Sequence, residues 1–170
     1  MQDDSASLTA CIPRLRRYAR ALLGDRASAD DLVQDTMERG WHKLSTWRRN
    51  GDMRAWLFSI MHNLHVDRLR QPGLATEALS DELHSSLSAS GPSPSDRLEI
   101  RDMQTALQML PAEQREVLLL VALEELSYEE AAAVLNIPPG TVMSRLSRAR
   151  ERLRLLMLGQ APASTLKVVK

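Results

Sequence analysis

At 170 residues the chain can form one domain or two small ones, and its 44% hydrophobic content excludes a disordered polymer. No run of about 18 apolar residues occurs, the opening MQDDSASLTAC is acidic rather than signal-like, and Cys11 is the single cysteine; these features exclude a membrane span and an internal disulfide and point to the reducing cytoplasm. Net charge is zero but unevenly divided: 12 basic and 9 acidic side chains over residues 1–70, 3 and 10 over 71–126, and 7 and 3 over 127–170, a distribution suited to touching polyanion in two places.

Leu8, Ile12, Leu15, Ala19 and Leu22 recur at helical spacing and predict a helix over 8–23 with Pro13 in its first turn, or else a helix that starts at Pro13; Gly24 ends it. Its other faces carry Arg14, Arg16, Arg17 and Arg20, open to solvent or to a polyanion. Ser28 and Asp31 have capping-box spacing and open a second helix reaching Leu44. Asp30 and Asp31 suit the start of the helix dipole, whereas Gln34, Asp35 and Glu38 lie too far along for that use and mark a face for a protein partner.

Residues 45–52 form a basic, turn-rich loop with an exposed Trp47, where burial competes with stacking on an unpaired base; Trp41 and Trp56 are expected in the core. A third helix over 53–70 carries an apolar stripe of Met53, Leu57, Ile60, Met61 and Leu64, with Ser59, His62, Asn63, Val66 and Arg70 opposite and Asp67 as a paired carboxylate beside it. His62 and His65 stand three apart without a third ligand, so they read as surface histidines and no metal or cofactor is expected.

Residues 71–95 lose periodicity in Pro, Gly, Ser and acids, including Asp81 and Glu82, and read as a flexible acidic linker. Ser95 or Asp96 caps a helix over 97–109, and Pro111 starts a core helix over 112–124. No phosphate loop, Ser/His/Asp set or cysteine nucleophile is present, so the chain reads as non-enzymatic.

Ser127 and Glu130 form a second capping box, for a helix over 128–135. Asn136 supplies a left-handed turn, Ile137 plugs the core, and Pro138-Pro139-Gly140 launches the last helix, a helix-turn-helix arrangement. Val142, Leu146, Ala149 and Leu153 share its buried face. The opposite face offers Ser144, Ser147, Arg148 and Glu151; Thr141, Arg145 and Arg152 flank it, and Arg150 points inward as an ion-pair partner. Arg148 is placed for a bidentate guanine contact, and Thr141, Arg145 and Arg152 for phosphates.

LPAEQREVLLLVALEELSYEEAAAVLNIPPGTVMSRLSRARERL resembles region 4 of bacterial sigma factors, and residues 29–70, from ADDLVQDTMERGWHKL through MRAWLFSIMHNLHVDRLR, resemble region 2. With nothing like region 3 between them, the chain is similar to extracytoplasmic-function (ECF) members of the sigma-70 family. The resemblance implies an all-α protein of two small helical domains: region 2 over 1–72, a flexible linker over 73–96, region 4 over 97–158 and a tail over 159–170. It implies that Asp31, Gln34, Asp35 and Glu38 dock on the clamp helices of the largest core polymerase subunit, with the flap of the second subunit as a further partner. It also implies that Trp47, Arg48, Ser59, His62, Asn63 and Arg70 serve the melted −10 element, while Thr141, Ser144, Arg145, Ser147, Arg148 and Arg152 serve the −35 element. An anti-sigma factor and a stress or envelope response are the regulation it implies.

Met143 stands where many relatives carry Lys or Arg, Ser147 is small, and Glu125 replaces a common glycine. Two other readings are a helix-turn-helix repressor or activator independent of polymerase, which leaves the first half unexplained, and a sigma-like decoy for an anti-sigma protein, which has no need of the arginines in the last helix.

Overall fold

Pro13 breaks what spacing alone predicts as one helix. Its ring cannot donate to the carbonyl of Thr9 and clashes with it, so the chain splits at Cys11 into α1 (Gln2–Ala10) and α2 (Ile12–Leu23). The computed structural model describes residues 2–71 and 93–159, so Asp81 and Glu82 and most of the expected linker and tail lie outside the described residues. Gly24, at φ 73°, caps α2 by donating to the Arg20 carbonyl.

The next cap differs from expectation. Asp25, not Ser28, is the N-cap of α3 (Arg26–His42): its carboxylate accepts from the Ser28 backbone N–H at 2.8 Å and from the Ser28 hydroxyl at 2.6 Å. These bonds hold the Asp25 carboxyl below the usual carboxylate range. Ala29, Leu32, Val33, Thr36 and Gly40 form the inner face of α3. A Cβ at Gly40 would stand 2.8 Å from Leu57 Cδ2, so glycine sets the close approach of α3 to α4 (Met53–Arg70). Asp52 caps α4 through the Arg54 N–H, and the expected stripe of Met53, Leu57, Ile60, Met61 and Leu64 is buried, joined by Phe58 and His65. Phe58 packs edge-on to Tyr18 of α2, with ring centroids 4.9 Å apart. Burial pushes the Tyr18 hydroxyl well above its ordinary pKa. Asp67 is exposed and has no partner among the described residues, contrary to the paired role expected of it.

The second half begins three residues earlier than expected. Ser93 caps α5 (Pro94–Met109) in a reciprocal box with Asp96, so residues 94–96 belong to the helix. The predicted helix over 112–124 is regular only in α6 (Ala112–Leu118); it then widens, and the Glu124 N–H donates to the Leu119 carbonyl five residues back at 3.0 Å. Leu126 N–H reaches back to Leu120, and Glu125 takes the left-handed position at φ 57°. α7 (Tyr128–Leu135) and α8 (Pro139–Met157) follow, with the Ser127–Glu130 box formed and Asn136 at φ 54°, ψ 49° between them.

The described residues are helical, in two groups, α1–α4 and α5–α8, and the apolar core runs unbroken from one group into the other. Arg115 of α6 ties them at a point where two helices end. Its Nε donates to Leu107 O, Nη2 to Gln108 O and Leu110 O, and Nη1 to Leu22 O, all at 2.7–2.9 Å. One planar fork thus satisfies terminal carbonyls of both α5 and α2.

Two stability predictions follow from these termini. Arg115→Lys keeps the charge but loses the fork and should cost about 3 kcal/mol in urea unfolding; a purely Coulombic role would leave stability almost unchanged. Glu125→Gly relieves the left-handed strain and should raise Tm by about 2–4 °C in a calorimetric scan.

Candidate nucleic-acid interface

The last helix, α8, is held by Val142, Leu146 and Ala149, exposed by no more than 2%. That anchoring turns Ser144, Ser147, Arg148 and Glu151 to solvent, as expected. Arg148 has no ion pair or hydrogen bond among the described residues, so its guanidinium is available to an outside acceptor. The flanking arginines behave differently. Arg145 lies 3.6 Å from Glu113 of α6, and Arg152 is half-buried with its Nε shielded and unpaired. Arg150, expected to point inward, is exposed beside Tyr128, Met143 and Arg154. Helical phase explains the difference: Arg150 falls in line with the exposed Met143 and Arg154, one residue beyond the buried Ala149. Thr141 is half-buried, and its carbonyl accepts from the Ser144 hydroxyl at 3.2 Å.

In the first half, the loop over 45–52 folds back on itself. Trp47, expected to be exposed, is half-buried against the core, and its Nε1 is shielded without an acceptor beside the backbone of Gly51. Trp41, expected in the core, is 55% exposed; Trp56 does pack against the core. Trp41 shares the outer face of α3 with Gln34 and Glu38, a spacing of three and four that a helical wheel aligned on Leu32, Thr36 and Gly40 reveals. On that same face Asp31 and Asp35 are gathered by Arg68 of α4, Asp31 at 3.2 Å and Asp35 in close contact, whereas Gln34 and Glu38 are open. The arginines of α2 are also largely engaged: Arg16 and Arg20 each lie 3.6 Å from Asp30, and Arg17 binds Glu124. Only Arg14 of those four lacks a carboxylate among the described residues.

Arg48, Asn63 and Arg70 are exposed, and Ser59 is half-buried with its hydroxyl donating to Ala55 O at 3.2 Å. His62 is not a surface histidine. Its Nδ1 meets Glu116 Oε1 of α6 at 2.9 Å, both side chains being largely buried. The neighbouring His65 is buried; desolvation lowers its pKa, opposed by the charge of Glu116. A seam between the two helical groups therefore covers part of the outer face of α4. Arg17 donates to the fully buried Glu124 at 3.0 Å through Nη2 and 3.2 Å through Nε, and Arg54 donates to the Glu124 carbonyl at 3.0 Å. The second Glu124 oxygen is buried without a donor. Sequence reasoning gave no role to Glu116, Glu124 or Arg115, because His62, Arg17 and Leu22, which they meet across the seam, lie 54, 107 and 93 residues away in the chain. No group of three His, Cys, Asp or Glu that could hold a metal ion occurs among the described residues.

The family described as the sigma2 domain of PhyR matches residues 8–62, and sigma-70 region 4 matches residues 100–153. Among curated proteins, the chain is 36% identical to the ECF RNA polymerase sigma factor EcfG of Rhodopseudomonas palustris, an alignment covering 92% of this chain and 84% of that protein. It is 32% identical to the ECF RNA polymerase sigma factor SigM of Bacillus subtilis, over 82% of this chain and 86% of that one. Among solved structures, it is similar to the sigma factor RpoE of Bartonella quintana in complex with the anti-sigma factor NepR, with a TM-score of 0.77, 35% identity, and coverage of 93% of this chain and 98% of that one. The fold is shared by the anti-anti-sigma factor PhyR of the same organism, at 19% identity and over 48% of that chain.

The seam makes an unequal prediction. Arg17→Ala strands the Glu124 carboxylate in the interior and should destabilise the chain by about 2 kcal/mol, whereas Glu124→Gln, which removes the charge and keeps the shape, should cost about half as much. Equal losses in urea titrations would show that charge neutralisation is not what Arg17 contributes.

Proposed function

Because the chain belongs to the ECF RNA polymerase sigma factors, we propose that it joins core RNA polymerase in the cytoplasm, grips the −35 element with α8 and the melted −10 strand with the α4 region, and so starts transcription. It acts by binding rather than by catalysis. The observation that supports this best is the distribution of unpaired cations. Arg148 on α8, and Arg48 and Arg70 around α4, have no internal partner among the described residues, as is true also of Arg14 and Arg150, while Arg16, Arg17, Arg20, Arg54, Arg68 and Arg115 are engaged within the fold. Arg148 reads guanine and Ser144 and Ser147 line the same groove; Thr141, Arg145 and Arg152 hold phosphates, Arg145 by leaving Glu113. Trp47, Ser59, His62 and Asn63 complete the −10 surface, which requires the α5–α8 group to withdraw from His62. Asp31, Gln34, Asp35 and Glu38 face the polymerase clamp helices, and residues 1–72 and 97–158 act as the two working domains on either side of a linker over 73–96. An anti-sigma protein controls the chain in a stress or envelope response, favouring the closed arrangement.

A second reading, a sigma-like decoy that titrates an anti-sigma protein, is favoured by the PhyR description of the family matched over residues 8–62. Against it stand the whole-length relatives named as sigma factors and the open Arg148.

Reconstituted transcription with purified core polymerase and a promoter library separates the two. Core-dependent initiation from a subset of promoters is expected; none from any promoter, with no duplex binding without core, would leave the decoy, whereas duplex binding without core would point to a polymerase-independent regulator. In the same assay Arg148→Ala should lose about 1–3 kcal/mol of discrimination at one −35 position, whereas Arg152→Ala should weaken all promoters alike.

A further inference from the structure

Met143 is 49% exposed on α8, in the turn between Thr141 and Ser147. It leaves the helix on the α7 side of the outer face, beside Ser147, Arg150, Glu151 and Arg154. Towards the start of α8 the surface is low, Gly140 having open space where a Cβ would stand and Ser144 and Ser147 being short, while the long Arg150, Glu151 and Arg154 lie further along the helix. A helix with so little bulk on its leading turns settles deep in a major groove, and a long unbranched side chain among them reaches the groove floor. Met143 cannot serve a phosphate, having no donor. What it can use on the floor of a major groove is the 5-methyl group of thymine, the apolar landmark among the donors and acceptors of the base edges. A thioether with three rotatable bonds adapts to that contact without a hydrogen bond to align.

We infer that Met143 is a specificity-determining residue that selects an A·T pair in the −35 element by packing on the thymine methyl. The inference rests on α8 being the −35 reader. Beside Arg148, which reads hydrogen-bonding edges, it gives this helix a second and chemically different mode of readout.

Replacing thymine by deoxyuridine removes the methyl and nothing else, so the test uses the full chain as holoenzyme on a promoter recovered from the library. Each −35 thymine, on either strand, is replaced in turn, and promoter binding is measured for wild type, Met143→Ala and Met143→Leu. One replacement should weaken wild type about three- to five-fold, the value of one methyl group leaving an apolar contact. Met143→Ala should be indifferent to that replacement, and Met143→Leu should retain most of the sensitivity. The inference is overturned by a −35 element without an A·T pair, by wild type indifferent to every deoxyuridine, or by equal sensitivity in wild type and Met143→Ala. Arg148→Ala, run alongside, separates the causes. Relaxed selectivity there with no deoxyuridine effect removes the Met143 contact alone, whereas no effect of either change removes α8 from the −35 element altogether.

Discussion

The structure depends on one guanidinium. Arg115 closes the ends of α2 and α5 by donating to four carbonyls, and those two helices belong to different halves of the chain. Terminal carbonyls that face protein rather than water must find donors or carry the full cost of desolvation. A planar cation with five N–H groups meets that demand at a single point, and burial lowers its pKa without discharging it at any ordinary pH. Further polar contacts line the seam beyond that point. Gln108 reaches Ala21 O, Arg17 and Arg54 meet Glu124 from two sides, and His62 reaches Glu116.

Pairing within the fold also explains how so balanced a chain can address DNA. Arginines that would make a featureless basic surface are drawn into pairs: Arg16 and Arg20 to Asp30, Arg68 to Asp31 and Asp35, Arg17 to Glu124. Pairing removes most of their long-range field, because opposite charges at contact look neutral beyond a Debye length. Among the cations left without a partner in the described residues are Arg148 of α8 and Arg48 and Arg70 near α4, single charges that suit contacts set by position.

Much of this was legible in the sequence where the cause is local. The Ser127–Glu130 box, the left-handed Asn136 and the buried stripes of α4 and α8 each depend on residues within a turn or two, and all are formed. The errors arise where a distant element decides. A helical wheel shows that His62 points away from its own stripe, but not that α6 lies there with a carboxylate. The same wheel leaves Arg145 free for phosphate and cannot see Glu113. Trp41 and Trp47 exchanged places for a related reason: bulk suggests burial for Trp41 and a basic loop suggests exposure for Trp47, whereas the packing of Leu8, Leu57 and Trp56 around Gly40 closes the other face of α3 and Trp47 packs against the core. The cap at Asp25 was hidden by a competing signal, since Ser28 and Asp31 have the right spacing one turn later.

The seam has a thermodynamic consequence for competition among sigma factors. Where the halves part on the polymerase, as the proposed function requires, the binding-competent form is reached only by opening the seam, and apparent affinity falls in proportion to the population of the open form. Each ~1.4 kcal/mol stored in the contacts of Glu116, Glu124 and Arg115 then raises about tenfold the polymerase concentration needed for occupancy. On that reading the seam sets the place of this chain in the queue for a shared enzyme, and changes there adjust that rank without replacing a promoter-facing side chain.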